Sequence, residues 1–287
     1  MPIYQPSVLH TFLDQLGIKP KKGLSQNFLI DGNILRKIVV LSHVKPGDLV
    51  IEIGPGPGAL TELLLEEKAR LMAIEKDSIL SDALQRFQTT GTDLEIFCSD
   101  FLAFPLEQEL AQRLGKGQKA KVIANLPYHL TTPILAVLVP LYEQIDSLTL
   151  MVQEEVGRRI CAQAGDADYS SLSLFLDFYA ASSFGFKVSR HSFYPAPEVD
   201  SAMVHLTLHP SPLPKEQWDS FFLLTRTAFG QRRKMIRASL KKLFPPLAIE
   251  KALQEIGKSP TARPEELSLD DFLLVFHHLR HLPLYFL

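Results

Sequence analysis

Cysteine is nearly missing from this chain: Cys98 and Cys161 are its only two in 287 residues. Two isolated thiols make no disulfide framework and show no metal-ligand spacing, so a reducing, cytoplasmic setting is expected and no metal. Long apolar runs are missing as well. No stretch approaches the roughly 18 consecutive apolar residues of a membrane span. The N-terminal Met1-Pro2-Ile3-Tyr4 has no basic region leading into an apolar one, so no secretory signal or membrane partner is expected. Internal repeats and low-complexity tracts are absent. No acidic residue occurs between Ser220 and Ile249, where Arg226, Arg232, Arg233, Lys234, Arg237, Lys241 and Lys242 stand. The net charge of −2 hides this asymmetry. Residues 1–209 carry 18 basic and 24 acidic side chains, and residues 210–287 carry 12 and 8. Phosphate binding depends on such local clusters rather than on the total.

What is present is a β-α-β-α alternation through the first half. Strand-like segments at 48–53, 70–74, 94–98, 121–124, 147–152 and 201–208 alternate with helical ones at 59–67, 80–87 and 133–141. This order predicts an α/β fold, with a parallel sheet covered by helices on both faces. Ligands of such sheets bind beyond the carboxyl ends of the strands. Glu52, Gly54, Glu75, Asp100 and Asn125 all fall at those ends. The proline-rich His209-Pro210-Ser211-Pro212-Leu213-Pro214 reads as a linker. Two domains are therefore expected, 1–209 and 210–287. The second is all-α, with helices near 215–229, 231–243, 247–256 and 268–280. On one helix from Gln231 to Leu243, Arg233, Lys234, Arg237 and Lys241 would share a face, with Ile236, Leu240 and Leu243 on another.

Gly54-Pro55-Gly56-Pro57-Gly58 follows the first strand. It lacks the third glycine spacing of a dinucleotide fingerprint, since position 59 is Ala. It still allows a ligand close to the backbone. Glu75, ending the next strand, suits a ribose diol. Asp100, ending the third, suits an adenine amino group. An adenosine donor is thus expected, and S-adenosylmethionine fits better than NAD, whose pyrophosphate needs the missing spacing. Asn125-Leu126-Pro127-Tyr128 supplies the chemistry. The Asn125 carbonyl and a backbone carbonyl beside Pro127 can accept the two protons of an exocyclic amine and aim its lone pair at a methyl group. Tyr128 can stack on the base. His129 is read as a rim residue rather than a base.

Together, Gln26-Asn27-Phe28-Leu29, Glu52-Ile53-Gly54-Pro55-Gly56, Glu75-Lys76-Asp77, Asn125-Leu126-Pro127-Tyr128, Gln153-Glu154-Glu155-Val156 and Phe193-Tyr194-Pro195-Ala196-Pro197-Glu198-Val199-Asp200-Ser201 stand in the order seen in ribosomal RNA adenine N6-dimethyltransferases. The resemblance runs from about Lys21 to Leu243. The segment from Ala228 to Leu240 resembles the small-subunit branch, whose bacterial members confer kasugamycin sensitivity. The resemblance implies a Rossmann-like class I S-adenosylmethionine-dependent methyltransferase domain followed by a helical domain that binds rRNA. It implies that Asn27 and Leu29 close over the donor, that Gly54 lies against its methionine part, and that Glu75 and Asp100 hold ribose and adenine. Asn125 would touch donor and target, and Phe193 would stack on the target adenine opposite Tyr128. The substrate would be two adjacent adenosines in the 3′-terminal hairpin of small-subunit rRNA, each methylated twice in a pre-ribosomal particle by a monomeric enzyme. Arg232, Arg233, Lys234, Arg237 and Lys241 would contact the rRNA backbone. Two rivals stay open: a large-subunit rRNA adenine methyltransferase, and a non-catalytic assembly or transcription factor on the same scaffold.

Overall fold

A computed structural model describes every residue except Ser25, Arg232, Arg233 and 284–287, with Lys22 described at its backbone only. The chain divides into two compact units: Met1–Gly157 with Ala180–Pro210, and Arg158–Tyr179 with Ser211–Leu287.

The first unit is built on a seven-stranded sheet. Its strands are β2 (Leu49–Ile53), β3 (Arg70–Glu75), β4 (Leu94–Cys98), β5 (Ala120–Asn125), β6 (Ile145–Gln153), β7 (Ala180–Val188) and β9 (Ser201–Leu208). The order across the sheet is β4-β3-β2-β5-β6-β9-β7. From β4 to β6 all pairings are parallel, while β9 runs antiparallel to both β6 and β7. Parallel central strands are covered on both faces and so become nearly continuous apolar runs. All five residues of β2 are buried accordingly, and Glu52 is the one acid among them. Strand order reverses between β2 and β5, and a sheet of this kind opens a crevice at that point.

Two short strands, β1 (Phe28–Leu29) and β8 (Phe193–Tyr194), form a separate antiparallel ribbon. Ile30 N–H donates to Ser192 O at 2.8 Å and extends it. Asp31 then caps the helix Gly32–Ser42, its carboxylate accepting from Asn33 N and Ile34 N. The strand β7 has no counterpart among the segments expected from sequence.

The regular elements described in the second unit are helical: Ser171–Asp177, Trp218–Phe229, Ile236–Leu240, Pro246–Glu255 and Leu269–Leu279, with short 3-10 turns. Its core is aromatic. Phe178 stacks on Phe221 with ring centroids 5.2 Å apart, and Tyr169, Phe175 and Tyr179 pack against Phe229, Phe222 and Trp218. Those contacts draw residues 158–179 into the helical unit, so the division differs from the expected 1–209 and 210–287.

The expected helix 231–243 is also corrected. Among the described residues of that span only Ile236–Leu240 is α-helical, and Met235 before it is non-helical. Ile236 N–H donates to Ala262 O, which ties the start of this turn to a distant loop. Lys234 therefore precedes the helix and Lys241 caps it, so the two do not share a continuous helical face with Arg237.

Candidate active site

The carboxyl ends of β2, β3, β4 and β5 surround a cleft of about 1270 Å³ out to its mouth. Its walls include Asn27, Leu29, Gly54, Glu75, Asp100 and Asn125, all expected from sequence. They also include Phe101, His129, Leu130 and Lys76, to which sequence assigned no contact with the ligand.

The glycine loop wraps one side of the cleft. Gly54, Gly56 and Gly58 all have positive φ, at 67°, 57° and 84°. A side chain is strained there, and the roles of the three glycines differ in what lies beside them. Nothing stands within 4 Å of where a Cβ on Gly54 would be, which leaves that backbone open to the cleft. At Gly58 a Cβ would meet the Phe87 ring at 2.5 Å, so that glycine serves the packing of the loop.

Glu75 locks the loop to the neighbouring strand. Its Oε2 accepts from Gly56 N at 2.9 Å and its Oε1 from Asp77 N at 2.8 Å. The residue is only 6% exposed. Burial raises its pKa, against the lowering effect of those two N–H bonds. Glu52 lies deeper. Burial pushes its pKa up to about 8, the Thr61 hydroxyl hydrogen-bonded at 2.7 Å opposes the rise, and nearby Glu75 adds to it. Glu52 is therefore a neutral acid near pH 7, which permits two carboxyl groups in one apolar region.

Asp100 keeps its charge. A hydrogen bond from Lys76 Nζ at 2.7 Å, and a further one from Leu102 N, hold its carboxyl below the ordinary range. With Phe101 and Leu130 as apolar walls, these acids fit the two ends of an adenosine.

Asn125 ends β5 and lines the same cleft. Its Nδ2 donates to Asn27 O at 3.1 Å. A backbone carbonyl only accepts, so this bond fixes the orientation of the amide. The nitrogen faces Asn27, and Oδ1 remains as the acceptor. The β1–β8 ribbon holds Asn27 in place from the other side. Tyr128 stands on the turn after Pro127, its hydroxyl 2.8 Å from Ser201 Oγ on β9. Burial raises the pKa of that hydroxyl, and the Ser201 bond opposes the rise.

Phe193 is not brought to the cleft. It is 3% exposed and belongs to the apolar cluster that includes Leu29, Leu35, Val188 and Met203. In this structure it presents no free face for a base opposite Tyr128. Of the five basic residues expected to meet RNA, Lys234 and Lys241 are exposed and Arg237 pairs with Glu250. Arg232 and Arg233 lie outside the described residues.

The model of the family "Ribosomal RNA adenine dimethylase" matches residues 17–281. The chain belongs to that family. Its relatives include a Ribosomal RNA small subunit methyltransferase A of Protochlamydia amoebophila, 61% identical over 97% of this chain and 98% of that protein. One of the same name from Chlamydia caviae is 48% identical over 96% and 97%. A dimethyladenosine transferase from Plasmodium falciparum superposes with a TM-score of 0.73, at 26% identity, over 88% of this chain and 98% of that one. The 23S rRNA methyltransferase ErmE does so at 0.68 and 25%, over 88% and 100%. Membership makes the chain an S-adenosylmethionine-dependent methyltransferase of Rossmann-like fold. Fold alone does not fix the rRNA target, because a dimethyladenosine transferase and a 23S rRNA methyltransferase both share it. Among the described residues no helix is long and apolar enough to cross a membrane.

Proposed function

We propose that this chain transfers methyl groups from S-adenosylmethionine to N6 of two adjacent adenosines in the 3′-terminal hairpin of small-subunit rRNA, giving dimethyladenosines. The observation that carries the reading is the fixed Asn125 amide beside the donor cleft, in a chain 61% identical along its length to a small-subunit enzyme. S-adenosylmethionine supplies an electrophilic methyl group. Glu75 and Asp100 hold its ribose and adenine ends, and the open backbone at Gly54 admits its amino-acid end. Asn125 Oδ1 and the Leu126 carbonyl before Pro127 accept hydrogen bonds from the N6–H groups of the target, one of which remains for the second transfer. As N6 bonds to the methyl carbon the C–S bond of the donor breaks, S-adenosylhomocysteine leaves, and the cationic amine loses its proton to water. Both carbonyls draw the nitrogen lone pair out of conjugation and point it at the methyl. Positioning and electrostatics therefore supply most of the rate. The base must leave its stack to reach this point. Tyr128 offers it a ring, and Phe193 becomes a second one only when uncovered.

Lys234, Arg237 and Lys241 contact the rRNA backbone, which they read by shape rather than sequence. Arg237 shares its charge with Glu250 and contributes least while that pair persists. The substrate is a pre-ribosomal small-subunit particle in the cytoplasm, and the enzyme acts as a monomer. The test is methyl transfer from labelled donor to small-subunit particles and to large-subunit rRNA, both taken from a strain lacking this activity. Dimethyladenosine in small-subunit rRNA alone is expected. Label in the large-subunit rRNA, or none in either, would overturn the reading.

A further inference from the structure

Asp77 has a side chain 1% exposed, close to the donor cleft but not among the residues that line it. Among the described residues, each polar contact of its side chain is with a donor. Its Oδ2 takes Lys21 Nζ at 2.8 Å and Gln26 Nε2 at 3.0 Å, and its Oδ1 takes Ile79 N at 3.1 Å. Gln26 in turn accepts from Lys21 N through Oε1 at 2.8 Å. Its amide is therefore unambiguous, oxygen to the backbone N–H and nitrogen to the carboxylate. Burial opposes the charge on Asp77, and the bonds from Lys21 and Gln26 outweigh it, so the carboxyl stays below its ordinary range. Lys21 and Gln26 bracket a stretch whose Gly23, Leu24 and Gln26 line the cleft. Asp77 itself follows Glu75 by two residues, and its N–H donates to Glu75 Oε1. One buried carboxylate thus ties the N-terminal wall of the cleft to the strand end that holds the ribose.

We propose that Asp77 is a positioning residue of the donor site: it touches no donor atom, but by holding Lys21 and Gln26 it fixes that wall and sets donor affinity. The inference rests on the cleft being the S-adenosylmethionine site. It separates binding from chemistry. The chain after Gln26 is anchored independently, by the β1–β8 pairing and by Ile30 N–H to Ser192 O. The Asn27–Asn125 bond therefore survives loss of Asp77.

Asp77→Asn keeps an acceptor for Ile79 N, since Asn caps helices as well as Asp, but turns an amide donor towards Lys21 and Gln26. Lys21→Met removes the same contact from a half-exposed position with no capping role. Donor affinity is measured by calorimetry on the full chain with S-adenosylmethionine, and the rate by single turnover at saturating donor. Each variant should raise donor Kd by about tenfold, because the wall must then be ordered on binding. The double variant should be no worse than either single one. The saturated rate should stay within about twofold, as expected for ground-state binding. Unchanged Kd in Lys21→Met, additive effects in the double variant, or a loss in saturated rate at constant Kd would each overturn the proposal. Absence of donor binding by the unaltered chain would instead refute the assignment of the cleft, and this inference with it.

Discussion

Replacing Asn125 with Ala tests the chemistry most directly. The amide makes one hydrogen bond in the structure, from Nδ2 to Asn27 O, and leaves Oδ1 to the substrate. Losing the first costs about 0.5–1.5 kcal/mol of stability, the net value of a neutral hydrogen bond. Losing the second removes an acceptor matched to charge that develops on N6 in the transition state. Deleting one such preorganised group costs about 10²–10³ in rate. The two effects differ in kind, so they can be measured apart. The melting temperature should fall by only a few degrees. Donor affinity, carried mainly by Glu75, Asp100 and the glycine loop, should change little. The single-turnover rate with saturating donor and small-subunit particles should fall at least about a hundredfold. A rate within tenfold of the parent would refute the role of Oδ1. So would a rise in donor Kd equal to the fall in rate, since Asn125 would then act only on binding.

Glu52 predicts a pH dependence of stability. Its pKa is about 8 when folded, against an ordinary 4.5, so between those values the folded chain holds one more proton than the unfolded chain. Stability should therefore fall as pH rises through that window, at most about 1.4 kcal/mol per pH unit. Glu52→Gln keeps an acceptor for Thr61 and should flatten this part of a melting-temperature profile; an unchanged slope would count against it. Charge reversal of both Lys234 and Lys241 should weaken rRNA binding and reduce the slope of log affinity against log salt by up to about two. A filter-binding series at several salt concentrations checks this, and an unchanged slope would remove these lysines from the interface.

The cleft was legible because the residues that line it sit at strand ends, where the apolar pattern stops. Gly54, Glu75, Asp100 and Asn125 each follow an apolar run, and parallel register brings them to one edge without further information. Other features depend on partners far away in the chain. The strand β7 reads Ala-Ala-Ser-Ser-Phe-Gly-Phe-Lys-Val, poor in β-branched residues, and its register shifts between Phe184 and Phe186. It is a strand because β9 pairs along it, which local propensity does not report. Helical composition after Gly230 suggested a longer helix than Ile236–Leu240, because the bond from Ile236 to Ala262 is invisible to periodicity. The family resemblance implied a stacking role for Phe193, but its pairing with Leu29 places it in the apolar core. Asp77 sat in plain view within Glu75-Lys76-Asp77, yet its two partners lie more than fifty residues earlier.

The ribbon of β1 and β8 also sets a schedule for synthesis. Phe28 and Leu29 leave the ribosome early, but their only strand partners are Tyr194 and Phe193. Until those emerge, the ribbon beside Asn27 cannot form. A nascent chain can complete the strands that carry Gly54, Glu75 and Asp100 well before it can close the wall above them. That wall of the cleft is therefore a late product of translation, completed only after about two thirds of the polypeptide has been made.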